Sequence, residues 1–468
     1  MATRPDVGKG LTAAHRFGLG PRGGNSGDLL SASSDPLGFI KAEIARPQVA
    51  VLQGPGLLNS RESAKTFYRL QSEVRRAREL TPREGSTSSA STEQPVDAKF
   101  VQETFRTEAL AKYQREFSAG VGFAERLVTF WSNHFCVSVA KDGFVRLLAG
   151  SFEREVIRPN VFGRFSDLLR GVTQHPAMLH YLDNRQSIGP NSRAGRNRNA
   201  GLNENFAREI LELHTLGVHG GYDQADVTEL ARILTGWTVV GPLGELGEPG
   251  AFVFNAAAHE PGKRRVLGVN YPEAGLEQGE WVLQALARHP STAKFIATKM
   301  VRHFVSDDPP TSLVDRLAKT FRDTDGDLRA VSIALLESVE AWTEPPAKVR
   351  TPQEFLMAAT RLIGRMPEDP GRLNGGIALL GQPLWQPPGP NGFSDNSVTW
   401  AGPEGIKVRL EISSELARRV GDALNPRDLL EVALGEAASK ETRAAILGAE
   451  SKPQALTLLL MSPEFQRR

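Results

Sequence analysis

Apolar residues recur three and four positions apart through most of this chain, and that spacing predicts helices. The clearest runs are Phe100–Gln114, Gly122–Val137, Asn203–Leu216, Gln224–Trp237, Glu277–Arg288, Ser291–Phe304 and Pro310–Arg322. Later ones fall at Thr351–Ile363, Glu404–Val420, Arg427–Leu434 and Lys452–Met461. Strand signals are confined to Phe252–Asn255 and Arg264–Gly268, which the pattern pairs as one small hairpin. The expectation is a mainly α fold, bundle-like, with a small β-hairpin.

Two segments lack any apolar period and read as flexible loops. One is Thr81–Pro95, rich in Ser and Thr; the other is Arg185–Gly201, a Gly/Asn/Ser loop carrying Arg185, Arg193, Arg196 and Arg198. A third irregular stretch, Gly381–Pro403, concentrates prolines with Trp385, Phe393 and Trp400; its aromatic side chains are expected to pin it to the core.

The net charge of +2 over 468 residues gives no global field for nucleic acid or an anionic membrane. The single cysteine, Cys136, rules out an intramolecular disulfide and a thiolate zinc cluster. Apolar stretches such as Leu456–Met461 are too short to span a bilayer. The opening residues show no signal-peptide pattern, which points to the cytoplasm, with export alongside a signal-bearing partner as the alternative. Phosphate-loop, nucleophile-elbow and His-Glu-x-x-His motifs are all missing.

What remains is a pair of histidine helices. In Asn203–Leu216, Asn203 is an N-cap and Gly217 a stop, and Phe206, Ile210, Leu211 and Leu213 share a face with His214 near its middle. Asn205, Arg208, Glu209 and Glu212 lie on the other side, more than a quarter-turn from His214 if the helix is regular. In Gly122–Val137, Phe123, Leu127, Phe130 and Trp131 surround His134 in the same way. Two inward histidines meeting between helices would suit iron, manganese, copper or zinc with a carboxylate as third ligand. Asp226, at the start of its helix, is either that ligand or a helix cap; each histidine is either a ligand or a hydrogen-bonded core residue.

These segments resemble a known family. The block Asn203–Gly217 (NENFAREILELHTLG) is similar to the most characteristic block of a large bacterial family known as domain of unknown function 1800. The similarity continues through Gly221-Tyr222, Asp226-Val227 and Ala231–Trp237 (ARILTGW). It extends to Ala13–Pro21, Phe130–Phe135 (FWSNHF), His175–Asn184, His259–Gly268, His289–Phe295 and Leu380–Pro388. Coverage this complete implies a single integrated domain over 1–468. The resemblance brings no activity, but implies association with an exported, alkaline-phosphatase-like protein.

Two functions are therefore expected as alternatives. One is a metal-dependent enzyme, oxidative or hydrolytic, with His134, His214 and Asp226 as ligands and Glu209, Asp226, Arg208 and His259 as catalytic candidates. Asn203, Asn205, Arg196, Arg198 and Lys263 would bind its substrate, an anionic small molecule or a glycan. The other is a non-catalytic binding or assembly partner.

Overall fold

The structure is a computed structural model that describes residues 6–23, 28–80, 96–197, 201–343 and 346–468. The predicted loop Thr81–Pro95 and Arg198 lie outside the described residues.

Helices form where the apolar period predicts them, at Phe123–His134, Leu276–Arg288, Pro290–Phe304, Thr311–Asp323, Pro352–Ile363, Pro403–Val420 and Lys452–Met461. Their ends follow local chemistry. Thr351 and Glu354 make a capping box with Pro352 in the first turn, and Gly364 at φ +74° closes the same helix. Further helices, including Ser60–Leu80, Gly143–Phe152, Phe165–Gln174 and Leu328–Glu337, complete the mainly α fold.

The strands pair differently from the expectation. Trp237–Val239 (β1) pairs antiparallel with Phe252–Phe254 (β2), and Arg264–Val266 (β3) with Val269–Tyr271 (β4). Two hairpins therefore replace one, because the tight turn after β3 gives it β4 as its partner and leaves β2 to pair with β1. Leu267 and Gly268 turn β3 into β4 with φ of 49° and 78°, the double positive φ that suits a two-residue hairpin loop. The helix expected over Gln224–Trp237 ends at Ile233, since Gly236 at φ +80° turns the chain into β1.

Buried apolar side chains form one cluster running from Ala13 to Phe465. At its centre Trp131 stacks on Phe135 (5.9 Å between ring centroids) and both lie against Phe165. An ionic network is sealed in beside it. Arg158 binds Glu125 through two bonds of 2.9 and 3.0 Å and Glu153 through one of 3.0 Å, while Lys112 joins Glu153 to Glu116.

Candidate functional site

The two predicted histidines do come together. His134 is the last residue of Phe123–His134 and His214 lies in Ile210–Thr215, with ring centroids 6.4 Å apart and both side chains buried. Ile210–Thr215 is a π-type turn, so the helix is not regular. Its wider i→i+5 turn rotates His214 toward the side of Glu209, closer than a regular helix would bring it.

The ring nitrogens of His134 are both engaged. Nε2 donates to the carbonyl of His214 (3.1 Å), and Nδ1 accepts from Nζ of Lys299 (3.0 Å). Burial, the Lys299 charge and the His214 ring hold His134 well below its ordinary pKa, so the ring is a neutral acceptor. His214 is lowered to about 3 by burial and then by Lys299, and its Nδ1 is buried with no hydrogen-bond partner among the described residues.

Lys299 was not singled out by the sequence. It occupies the middle of Pro290–Phe304, a helix started by Pro290 and by the His289 ring accepting from the Ser291 amide. The helix places Phe295 and His303 one turn to either side of it. Lys299 packs over the Phe295 ring at 5.5 Å, and burial lowers its pKa while Asp395 acts to raise it. A cation on the apolar side of a helix was the signal available in the sequence.

Lys299 lines a cleft of about 930 Å³ with Asn133, Arg302, Asp395 and the loop Gln386–Asn396. Asp395 reaches the cleft from that loop and accepts from Nδ1 of His303 at 2.9 Å; this ring, in turn, accepts from Arg126 at 3.2 Å. The His303 contact, together with Lys299 and Lys348, holds the Asp395 carboxyl down at about 2 against its burial.

The wall of the cleft is the proline-rich stretch, fastened residue by residue to Asn133–Val139. Asn133 bonds the Phe393 amide and carbonyl (2.8 and 2.9 Å), Ser138 the Pro387 carbonyl (3.0 Å), and the Val139 amide the Trp385 carbonyl (2.9 Å). Trp385, held at φ 49°, donates its indole N–H to Glu153 (3.2 Å) and meets Phe105 edge-on. The aromatic residues therefore anchor this loop as expected, and the loop also shapes the cleft.

Gly392 is required in this wall. It sits at φ +78°, and a Cβ there would lie 2.5 Å from the Asn133 carbonyl oxygen. Gly392→Ala is expected to cost about 1–3 kcal/mol in strain and to open the wall. Faster proteolysis within Pro387–Asn396 would register it; wild-type stability and resistance would contradict it.

The other predicted site residues lie elsewhere. Asp226 spends both carboxylate oxygens locally, accepting from the Asp223 amide (3.1 Å) and the Leu267 amide (2.7 Å). Asn203 bonds the Leu182 carbonyl and accepts from the Asn205 amide, so it shapes the chain entering the helix; Asn205 is exposed. Arg208 reaches Gln224 (2.8 Å) at the surface, and Arg196 bonds the Asn191 carbonyl. Glu209 is half-buried and raised by that burial and by Glu212. His259 is buried with Nδ1 donating to the Thr235 carbonyl at 3.0 Å, and Lys263 is exposed. Glu260 is buried and accepts two bonds from Asn191, tying down the basic loop. Among the described residues no group of three or more His, Cys, Asp or Glu side chains is gathered as a metal would require.

A family model described as "Protein of unknown function (DUF1800)" matches residues 12–467. No curated protein and no solved structure matches the chain.

Proposed function

Since this chain belongs to the DUF1800 family over nearly its whole length, and that family brings no activity with it, we propose a function from the chemistry of the cleft: it binds an anionic small molecule through Lys299 and Arg302. The supporting observation is the company Lys299 keeps. Its two close contacts, the Nδ1 of a neutral His134 and the Phe295 ring, carry no negative charge. Lys299 and Arg302 bring two cations to the cleft against one carboxylate, Asp395, which already accepts from His303, so the cleft is short of one counter-charge. A carboxylate or phosphate in the cleft would supply one, with Arg302 as a second cation and Asp395 selecting for a ligand that also offers a donor.

The test is the thermal midpoint in acetate, phosphate or sulfate against chloride at constant ionic strength. A bound anion at a hundred times its Kd stabilises the native state by about 2.7 kcal/mol. Lys299→Met is expected to abolish the shift. No shift in the wild type, or an equal one in the variant, refutes the assignment.

A metal-dependent enzyme is the second reading, and one observation favours it: the buried Nδ1 of His214, unpartnered among the described residues. Against it stand the committed nitrogens of His134 and the local bonds of Asp226. Elemental analysis of protein purified without a histidine tag decides. Stoichiometric metal that disappears in His214→Ala would establish it, and metal-free protein would remove it.

A further inference from the structure

We propose that the Lys299 amine is a nucleophile, condensing with the carbonyl carbon of an oxo acid whose carboxylate is held in the cleft. This rests on the anion-binding reading above and adds a covalent step to it.

The geometry supports amine chemistry rather than a purely electrostatic role. A lysine paired with a carboxylate is locked as ammonium, whereas the partner of Lys299 is a neutral imidazole nitrogen at 3.0 Å. That nitrogen is fixed as an acceptor because the other one donates to the His214 carbonyl. His134 can therefore hold one Nζ–H bond in either protonation state of the lysine, and in the neutral amine this leaves the lone pair directed elsewhere. Desolvation disfavours the charged form further. The groups facing Lys299 are His134, His214, Cys136, Arg302 and Asp395; of these, Asp395 alone is held ionised as an anion.

In the step itself, the ammonium first loses a proton to solvent in the cleft. The nitrogen lone pair then bonds to the carbonyl carbon while the C=O π pair moves to oxygen, and proton transfer gives a neutral carbinolamine. Expulsion of that oxygen as water, with loss of the remaining N–H proton on balance, leaves the C=N bond. Amine and carbonyl compound are converted to imine and water, with no change in oxidation state. Arg302 is placed to hold the carboxylate, and Asp395 to relay the proton between nitrogen and oxygen.

The probe is glyoxylate with cyanoborohydride, which delivers hydride to the imine carbon and leaves a stable carboxymethyl-lysine for peptide mapping of the full chain. Residue 299 is expected to be labelled faster than the exposed lysines, because desolvation favours its free amine, with acetate protecting it. The labelling rate should rise with pH to a midpoint below that of the exposed lysines. Lys299→Arg should lose the adduct while the exposed lysines keep theirs. Labelling of residue 299 no faster than the exposed lysines, while acetate still stabilises the protein, overturns the nucleophile and leaves the binding reading standing. If neither acetate nor glyoxylate registers, both fall.

Discussion

Replacing Arg158 with methionine lowers the urea midpoint of this protein by the equivalent of about 3–5 kcal/mol, the penalty for stranding buried charges. Arg158 has no exposed side-chain surface, and its guanidinium spans Glu125, Glu153 and the Ala50 carbonyl. Methionine fills similar volume, so lost packing contributes little; the damage comes from two carboxylates left without their shared partner. Glu153 keeps Lys112, whereas among the described residues Glu125 keeps the longer contact to Arg115 at 3.4 Å. Adding Glu125→Gln to the variant should therefore recover part of the loss. A variant as stable as wild type would show that the network contributes no net stability.

Mild acid produces the second large effect, because this protein encloses several of its histidines as neutral rings. Three of them share one construction. His134 donates to a carbonyl and accepts from Lys299, His15 donates to the Ala433 carbonyl and accepts from Arg350, and His303 donates to Asp395 and accepts from Arg126. A proton on any of these rings removes the acceptor and sets two cations side by side. Burial and these cations bring His15 and His214 to about 3 and His303 to about 4; His180, beside Phe144, is also near 3.

The unfolded chain takes up these protons near pH 6.5, whereas the folded one resists until pH 3–4. The stability the neutral rings contribute is thus complete above 6.5 and is lost as pH falls toward those values. At pH 4.5 each contributes a loss of roughly 2–3 kcal/mol, and together they reach the order of a whole domain's stability. Glu43, Glu108 and Glu116, raised by burial, act in the opposite direction and offset part of it. The thermal midpoint should fall continuously from pH 7 to 4.5, and His180→Phe, which fills the same stacked position, should flatten the curve. A midpoint flat or rising between pH 7 and 5 would disprove this account.

Much of the helical framework was legible because its signal is local. A helix such as Pro352–Ile363 needs only its own apolar period, its capping box and the glycine after it. Strand pairing was less legible: short strands carry little information about their partners, and Phe252–Phe254 took β1 rather than Arg264–Val266. The π turn at Ile210–Thr215 was invisible to a fixed helical period, and it changes which side of the helix His214 shares with Glu209.

By itself, the sequence determined that the fold is mainly helical, that its family is DUF1800, and that His134 and His214 point inward, since each sits among apolar residues on its own helix. Only the tertiary structure decided what those histidines touch. Lys299 meets His134 across 165 positions of chain, and His303 meets Asp395 across 92. The Asn133–Phe393 clasp that walls the cleft spans 260. Such contacts have no local period to announce them, because they exist only once packing has brought distant segments together and excluded the water that would otherwise separate them.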